Sequence, residues 1–275
     1  RIIDSPRERM LAILTNSLVP CNGRFPALIA VLTMFFAYGS CAQDGMTVGA
    51  GGSVLAALLL TAAIVCGVAA TLLVTKILSK TLLRGMPSSF TLEMPPYRMP
   101  QIGSVIVRSV LDRTLFVLAR AAAVAAPAGL LIWTLANVTV GSASLLQHFV
   151  SFLEPAGTLL GLDGAILAAF ILGLPANEIV IPLVVMIYLT QGKLTGMEDL
   201  TLLRTIFVDN GWTAVTAVCF VLFSLMHWPC STTCLTIGKE TKSAKWTLLS
   251  IAIPTGIGMA VCFLVASAAR LLGLA

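Results

Sequence analysis

Charge is scarce in this chain of 275 residues: Asp, Glu, Lys and Arg make up 11% of it, against 58% hydrophobic residues. Soluble domains carry about 25% charged residues. A deficit this deep excludes an oversized soluble core and leaves a polytopic membrane protein. The motifs of nucleotide and hydrolytic chemistry are missing too. There is no GxxxxGK[ST] phosphate loop, no GxSxG, no HExxH and no pair of catalytic carboxylates, so the chain is not expected to be an enzyme. A basic, aromatic-interleaved groove is absent. The net charge of +5 instead reflects basic residues gathered at the ends of apolar segments, as in cytoplasmic loops. The expected partner is therefore the bilayer, not nucleic acid. The seven cysteines do not form a secreted disulfide framework; Cys41, Cys66, Cys219 and Cys262 sit singly in apolar surroundings and read as packing. The opening RIIDSPRERM has neither an initiator Met nor a signal-peptide pattern, and is expected to continue a longer chain.

What is present are apolar runs, each measured against the roughly 20 residues that a span needs. The first, about Met10–Tyr38, is interrupted by VPCNGRFP at Val19–Pro26; the second is about Ser53–Ile77. The polar, proline-rich Ser79–Gln101 reads as a cytoplasmic loop. Ile102–Arg120 follows, with Arg108 and Asp112 one helical turn apart, and reads as an amphipathic interfacial helix feeding a third span at about Ala121–Val140. SASLLQHFVSFLEPAGTLLGLDG is expected to form a short helix at the surface. Segment four, Ala165–Tyr188, is split by GLPANEIVIP; a hydrophilic link, Thr190–Asn210, leads to segment five at Trp212–Met226. After HWPCSTTC and the basic loop Gly238–Lys245, segment six runs from Trp246 to Leu272.

These runs predict an all-α, polytopic membrane protein with broken or re-entrant helices, in three parts: 1–78, 79–120 and 121–275. Lys76, Lys80 and Arg84, and again Lys239, Lys242 and Lys245, are expected on the cytoplasmic face. The base-free SCAQDGM loop belongs outside. If every segment crossed once, Gly238–Lys245 would fall on the wrong side. A re-entrant hairpin around Pro175–Glu178 removes that conflict, since each half of segment four is too short to span alone.

The breaks hold the candidate chemistry. Segments one and four share a form, apolar stretch, proline-bearing polar break, apolar stretch, and paired interrupted helices point to a midplane site in transporters. In PCNGRFP, Pro20 and Pro26 bracket Cys21, Asn22, Gly23 and Arg24; the alternative is an interfacial helix end with Arg24 snorkelling to headgroups. In LPANEIVIP, Glu178 is a carboxylate with apolar residues on both sides. It is expected to receive a cation, to pair with Arg24, or to stabilise the second half-helix at its positive end. HWPCSTTC offers His227, Cys230 and Cys234, a soft donor set suited to a transition metal. The competing readings there are packing for Cys234 and an interfacial polar tip for His227. No second CxxC supports a closed zinc site.

Four stretches together resemble one family. SPRERMLAILTNSLVPCNGRFPALIAVL resembles the opening of the C-terminal region of the ferrous iron transporter B (FeoB) family, with Cys21, Arg24 and Pro26 matching its Cys-x-x-Arg-x-Pro break. MPPYRMPQIGSVIVRSVLDRTLFVLARA is similar to the family's Pro-Pro-Tyr-Arg loop and following helix. GLPANEIVIPLV resembles the core of its second Gate segment, with Asn177 where many members have lysine and Glu178 retained. HWPCSTTCLTIGKETKSAKWTLLSIAI resembles its closing Pro-Cys segment, basic loop and last helix. The resemblance spans nearly the whole chain, in order.

It implies a multi-pass protein of the cell membrane, part of an Fe(II) uptake system. In that family a GTP-binding domain and a first Gate segment precede the region matched here and are the implied partners, on the same chain or a separate subunit; a homo-oligomer also fits. Fe(II) would be the transported ion, not a tightly held cofactor. The residues expected on its path are Cys21, Asn177, Glu178, His227, Cys230 and Cys234. Two other functions remain open: passage of an organic solute such as a nucleoside through the same Gate-type helices, and a membrane scaffold without transport.

Overall fold

The computed structural model describes residues 3, 5–37, 50–83, 101–141, 143–189 and 200–273. The SCAQDGM loop, most of the Ser79–Gln101 loop, and Glu198 and Asp199 lie outside the described residues, as do the side chains of Arg108, Asp112, Arg113 and Arg120.

Helix α1 (Pro6–Thr15) begins where Ser5 accepts a hydrogen bond from the Glu8 amide and Pro6 fills the first turn, a place where a missing N–H costs nothing. It ends in a 3-10 turn, Asn16–Leu18. After the break, Pro26 sits in the first turn of α2 (Phe25–Leu32), which runs into a π-helical turn at Thr33–Ala37. Segment one is therefore a broken helix, as expected. Helix α3 (Ala50–Lys80) is unbroken over 31 residues, about 46 Å at 1.5 Å per residue. Arg7 ties its end to α1 by donating to the carbonyls of Leu83 and Ser79, at 2.5 and 3.3 Å.

The next stretch is continuous: α4 (Ile102–Arg108), a π-helical turn at Ser109–Leu115, then α5 (Phe116–Asn137). A two-residue antiparallel ladder, β1 (Thr139–Val140) and β2 (Ala143–Ser144), reverses the chain, with Gly141 at φ 71. Ser144 and Gln147 then form a reciprocal capping box that starts α6 (Leu145–Leu159).

Three expectations need amending. The stretch after Ser142 does form a largely unburied helix, α6, of 15 residues, but it does not stand alone: it bends by 111° into the buried α7 (Gly164–Leu172). Glycines permit that bend. A Cβ on Gly157 would lie 2.5 Å from the Asp163 carbonyl carbon, and one on Gly164 2.3 Å from the Val150 oxygen. The link at Thr190–Asn210 is not simply hydrophilic either. It contains α9 (Leu200–Asp209), which buries Leu203 and Phe207, because these positions share one helical face. Most of the basic Gly238–Lys245 loop is helical: α11 (Ser231–Thr241) and α12 (Ala244–Leu271) are joined by Lys242 and Ser243 alone.

The core gathers around α7, α8 (Val180–Tyr188) and α10 (Ala214–Met226), with Phe170, Ile181, Phe220 and Phe223 almost wholly buried. Helices α7 and α8 are apolar all round, as helices enclosed by others are. Helices α3, α5 and α12 instead expose leucines, such as Leu72 at 67%, toward the surroundings. Among the described residues, four helical stretches are long and apolar enough to cross a bilayer: Pro6–Ala37, Gly51–Lys80, Ala214–Thr241 and Ala244–Leu271; the bent α6–α7 pair would make a fifth. The fold is all-α, polytopic and membrane-embedded.

Candidate functional site

Three interruptions of helix meet inside this bundle. The first, Val19–Arg24, follows from Pro20, which cannot donate to a helical ladder, and it closes on itself through an Arg24 N to Cys21 O bond of 3.0 Å. The second lies between α7 and α8. Gly173, Leu174 and Pro175 turn the chain, and a 3-10 turn at Asn177–Ile179 leads into α8. The third, His227–Cys230, separates α10 from α11, with Pro229 stopping the ladder. The Ser231 amide donates to Leu174 O at 2.9 Å and so joins the third break to the second.

Each break exposes backbone groups that hydrocarbon cannot satisfy. Arg24 answers that need. It is 3% exposed, and its guanidinium donates to the carbonyls of Ser17 (2.9 Å), Leu225 (3.0 Å), Trp228 (3.1 Å) and His227 (3.4 Å). One cation thus ends α10, where a positive charge complements the helix dipole, and fastens the first break to the third. Neither sequence expectation for this residue holds: Arg24 does not snorkel outward, and its partners are carbonyls, not Glu178.

Small residues let neighbouring helices approach the breaks. A Cβ on Gly67 of α3 would lie 2.9 Å from Leu18 O, and one on Gly258 of α12 3.0 Å from Met226 O. Gly23 serves the break-to-break contact: its added Cβ would stand 3.2 Å from both Cγ and Oε1 of Glu178. Such close backbone approach is a known use of small residues between membrane helices.

Across this junction the structure draws one side chain from each break into line. Asn177 Nδ2 lies 3.8 Å from Cys21 Sγ, and Asn177 Oδ1 lies 3.4 Å from His227 Nε2. His227 is buried, and its Nδ1 faces the carbonyls of Ser224 (2.9 Å) and Phe223 (3.2 Å). Two acceptors require a proton on Nδ1, which leaves Nε2 as a lone pair aimed at Asn177. An oxygen opposite a lone pair makes no bond, so the amide is assigned the other way round, with its NH2 donating to His227 and its oxygen accepting from the Cys21 thiol. Fixing the other ring nitrogen on a carbonyl is how metal-binding histidines are usually oriented.

The remaining candidates lie around that line. Glu178 is exposed over Gly23, at the positive end of α8, and makes no hydrogen bond among the described residues. Cys230 caps α11 without a side-chain bond to its amides, and its sulfur lies 3.2 Å from Thr233 Oγ1; like Cys21, it is within electrostatic reach of Arg24. Cys234 is the outlier: its thiol donates to Pro229 O at 3.4 Å, and it lines a cavity between α11 and α12. Among the described residues no three His, Cys, Asp or Glu side chains form a metal cluster. Sequence reasoning missed Arg24 as a carbonyl clamp, and also Gly67 and Gly258. Their only signal is small residues within the apolar helices α3 and α12.

Residues 60–112 match the family model described as ferrous iron transport protein B C terminus, and residues 118–244 match the Gate model, described as nucleoside recognition. Among curated proteins, the Fe(2+) transporter FeoB of Staphylococcus aureus strain COL is 26% identical over 92% of this chain and 35% of its own length. That of Methanocaldococcus jannaschii is 24% identical over 91% and 36%. An Fe(2+) transport protein A/Fe(2+) transporter FeoB fusion protein of Porphyromonas gingivalis is 22% identical over 96% and 35%. The chain thus spans about a third of the length of these relatives. No solved structure matches it significantly. Both family models fall in the expected order along a bundle of broken helices, and the chain is similar over nearly its whole length to a C-terminal part of the membrane domain of the FeoB family.

Proposed function

We propose that this chain is part of an Fe(II) uptake transporter of the cell membrane and that Fe(II) passes through the junction of the three breaks. The observation that supports this reading most is the alignment of Cys21, Asn177 and His227, one from each break, with Glu178 beside them. Sulfur, imidazole nitrogen and carboxylate oxygen all suit Fe(II). A few donors at an open station bind well enough to replace hydration and release readily, which conduction requires. Glu178 attracts the cation, Cys21 and His227 coordinate it, Asn177 supplies a carbonyl oxygen, and Cys230 continues the path. Cys234 stands at the margin and contributes least. In the relatives' longer chains, a GTP-binding domain and another Gate segment would complete and gate the conduit.

The test is Fe(II) flux into proteoliposomes carrying this chain with the rest of its transporter. Cys21→Ser, Glu178→Gln and Cys230→Ser should each lower the flux while leaving membrane insertion intact. Wild-type flux in all three variants would defeat the assignment.

A second reading is favoured by one feature. An apolar cavity of about 380 Å³ lies between α5 and the second break, lined among others by Trp133, Pro175, Ala176 and Ile179. Its size falls within the range of small-molecule sites, and it suits an organic solute such as a nucleoside. Labelled nucleoside accumulating in the same vesicles, indifferent to loss of Cys21, would favour that reading.

A further inference from the structure

The α11–α12 corner holds a feature that iron passage does not use. A cavity of about 780 Å³ opens there, lined by Cys234, Leu235, Leu248 and Ile251 on its apolar side and by Lys239, Lys242 and Lys245 at its rim. We propose that it binds an anionic phospholipid, with the phosphate between the three lysines and an acyl chain along Leu235, Leu248 and Ile251.

Four observations converge on this occupant. The corner joins two of the stretches long enough to span, Ala214–Thr241 and Ala244–Leu271, through Lys242 and Ser243 alone; it must therefore lie at a membrane face. Its basic residues put it on the cytoplasmic face, where anionic lipids create a negative surface potential. The apolar side is open, with Leu235 46% and Leu248 66% exposed, and it continues onto the bilayer-crossing helix α12. Finally, Lys242 adopts φ 49, and it is the one non-glycine residue with positive φ among the described residues. A helix stop of this kind ordinarily takes glycine; a lysine held there keeps a third cation on the rim. Glu240, the acid nearest in sequence, is not among the lining residues. Lysine stems can lie along the apolar wall while their ammonium groups meet the phosphate.

The proposal is independent of what ion crosses the junction, and its readout is bound lipid. The purified chain is exchanged into equal phosphatidylglycerol and phosphatidylcholine, and retained lipid is measured by native mass spectrometry. The chain should keep phosphatidylglycerol in preference. Each lysine near an anionic surface contributes about fivefold, so Lys239→Gln/Lys242→Gln/Lys245→Gln should reduce that preference by on the order of a hundredfold. These lysines are exposed, so the variant should fold. Lys76→Gln/Lys80→Gln, at the end of α3 and outside the cavity, should lower the preference far less than the triple variant does, and excess inorganic phosphate should not displace the lipid. The proposal is overturned if the triple variant keeps phosphatidylglycerol as well as wild type or if the α3 variant loses it equally. Equal retention of phosphatidylcholine, or displacement by phosphate alone, would also overturn it.

Discussion

Replacing Arg24 with Leu should release the first break from the third and lower the thermal midpoint by on the order of 10 °C, with Fe(II) flux abolished. The guanidinium is buried, and its donors serve carbonyls on both the first break and the end of α10. A buried carbonyl left without a partner costs about 1–3 kcal/mol, so losing this clamp costs on the order of 5 kcal/mol, a large share of the roughly 5–15 kcal/mol that holds a typical protein folded. Arg24→Lys keeps the charge but replaces a planar fork by a point donor. It should recover part of the stability and little of the flux. Thermal unfolding of the purified variants checks both. A Leu variant melting within about 2 °C of wild type would show that Arg24 is not the clamp.

His227→Gln should behave in the opposite way. Glutamine can still donate to the Ser224 carbonyl and nearly fill the space beside Phe170, whose ring centroid lies 4.9 Å from the imidazole. The cost to stability should be about 1–2 kcal/mol, within the usual range for a buried substitution. What disappears is the lone pair that Nδ1 protonation directs at Asn177. Disturbing even an outer partner of a metal ligand typically costs about 10–100-fold, so removing the donor itself should lower Fe(II) flux at least tenfold. Flux and melting, measured on the same preparation, separate the two effects. Full flux with normal stability would leave His227 a packing residue.

Much of this was legible in the residues. The prolines and polar residues of PCNGRFP and LPANEIVIP marked two breaks, because proline cannot donate to a helical ladder and polar groups are costly within apolar runs, and both breaks exist. The third was legible as the end of segment five at Met226, where α10 does end, and as the donors of HWPCSTTC; its meeting with the other two breaks was not. Arg24 was misjudged because a cation at depth reads equally well as a snorkelling headgroup anchor or as a salt-bridge partner. Only three-dimensional closure, with α10 ending against residue 24, reveals carbonyls as its partners. The α6–α7 bend was hidden for a similar reason. It depends on Gly157 and Gly164 packing backbone on backbone, and glycine in an apolar helix does not say which neighbour approaches. Helix α9 was lost to composition, since Asp209 and the acids before it masked the apolar spacing of Leu203 and Phe207.

A cation travelling through the junction should meet the Cys21 sulfur. Cys21 is exposed and lies on the line formed with Asn177 and His227, whereas Cys66 sits midway along the bilayer-crossing helix α3. In a chain retaining Cys21 as its one cysteine, labelling by a small water-soluble maleimide is timed with and without anaerobic Fe(II). Fe(II) should slow the reaction at Cys21 several-fold, because a coordinated thiolate is no longer a free nucleophile, whereas Mg(II), which prefers oxygen ligands, should not. Equal rates at Cys21 in the presence and absence of Fe(II) would contradict the conduit.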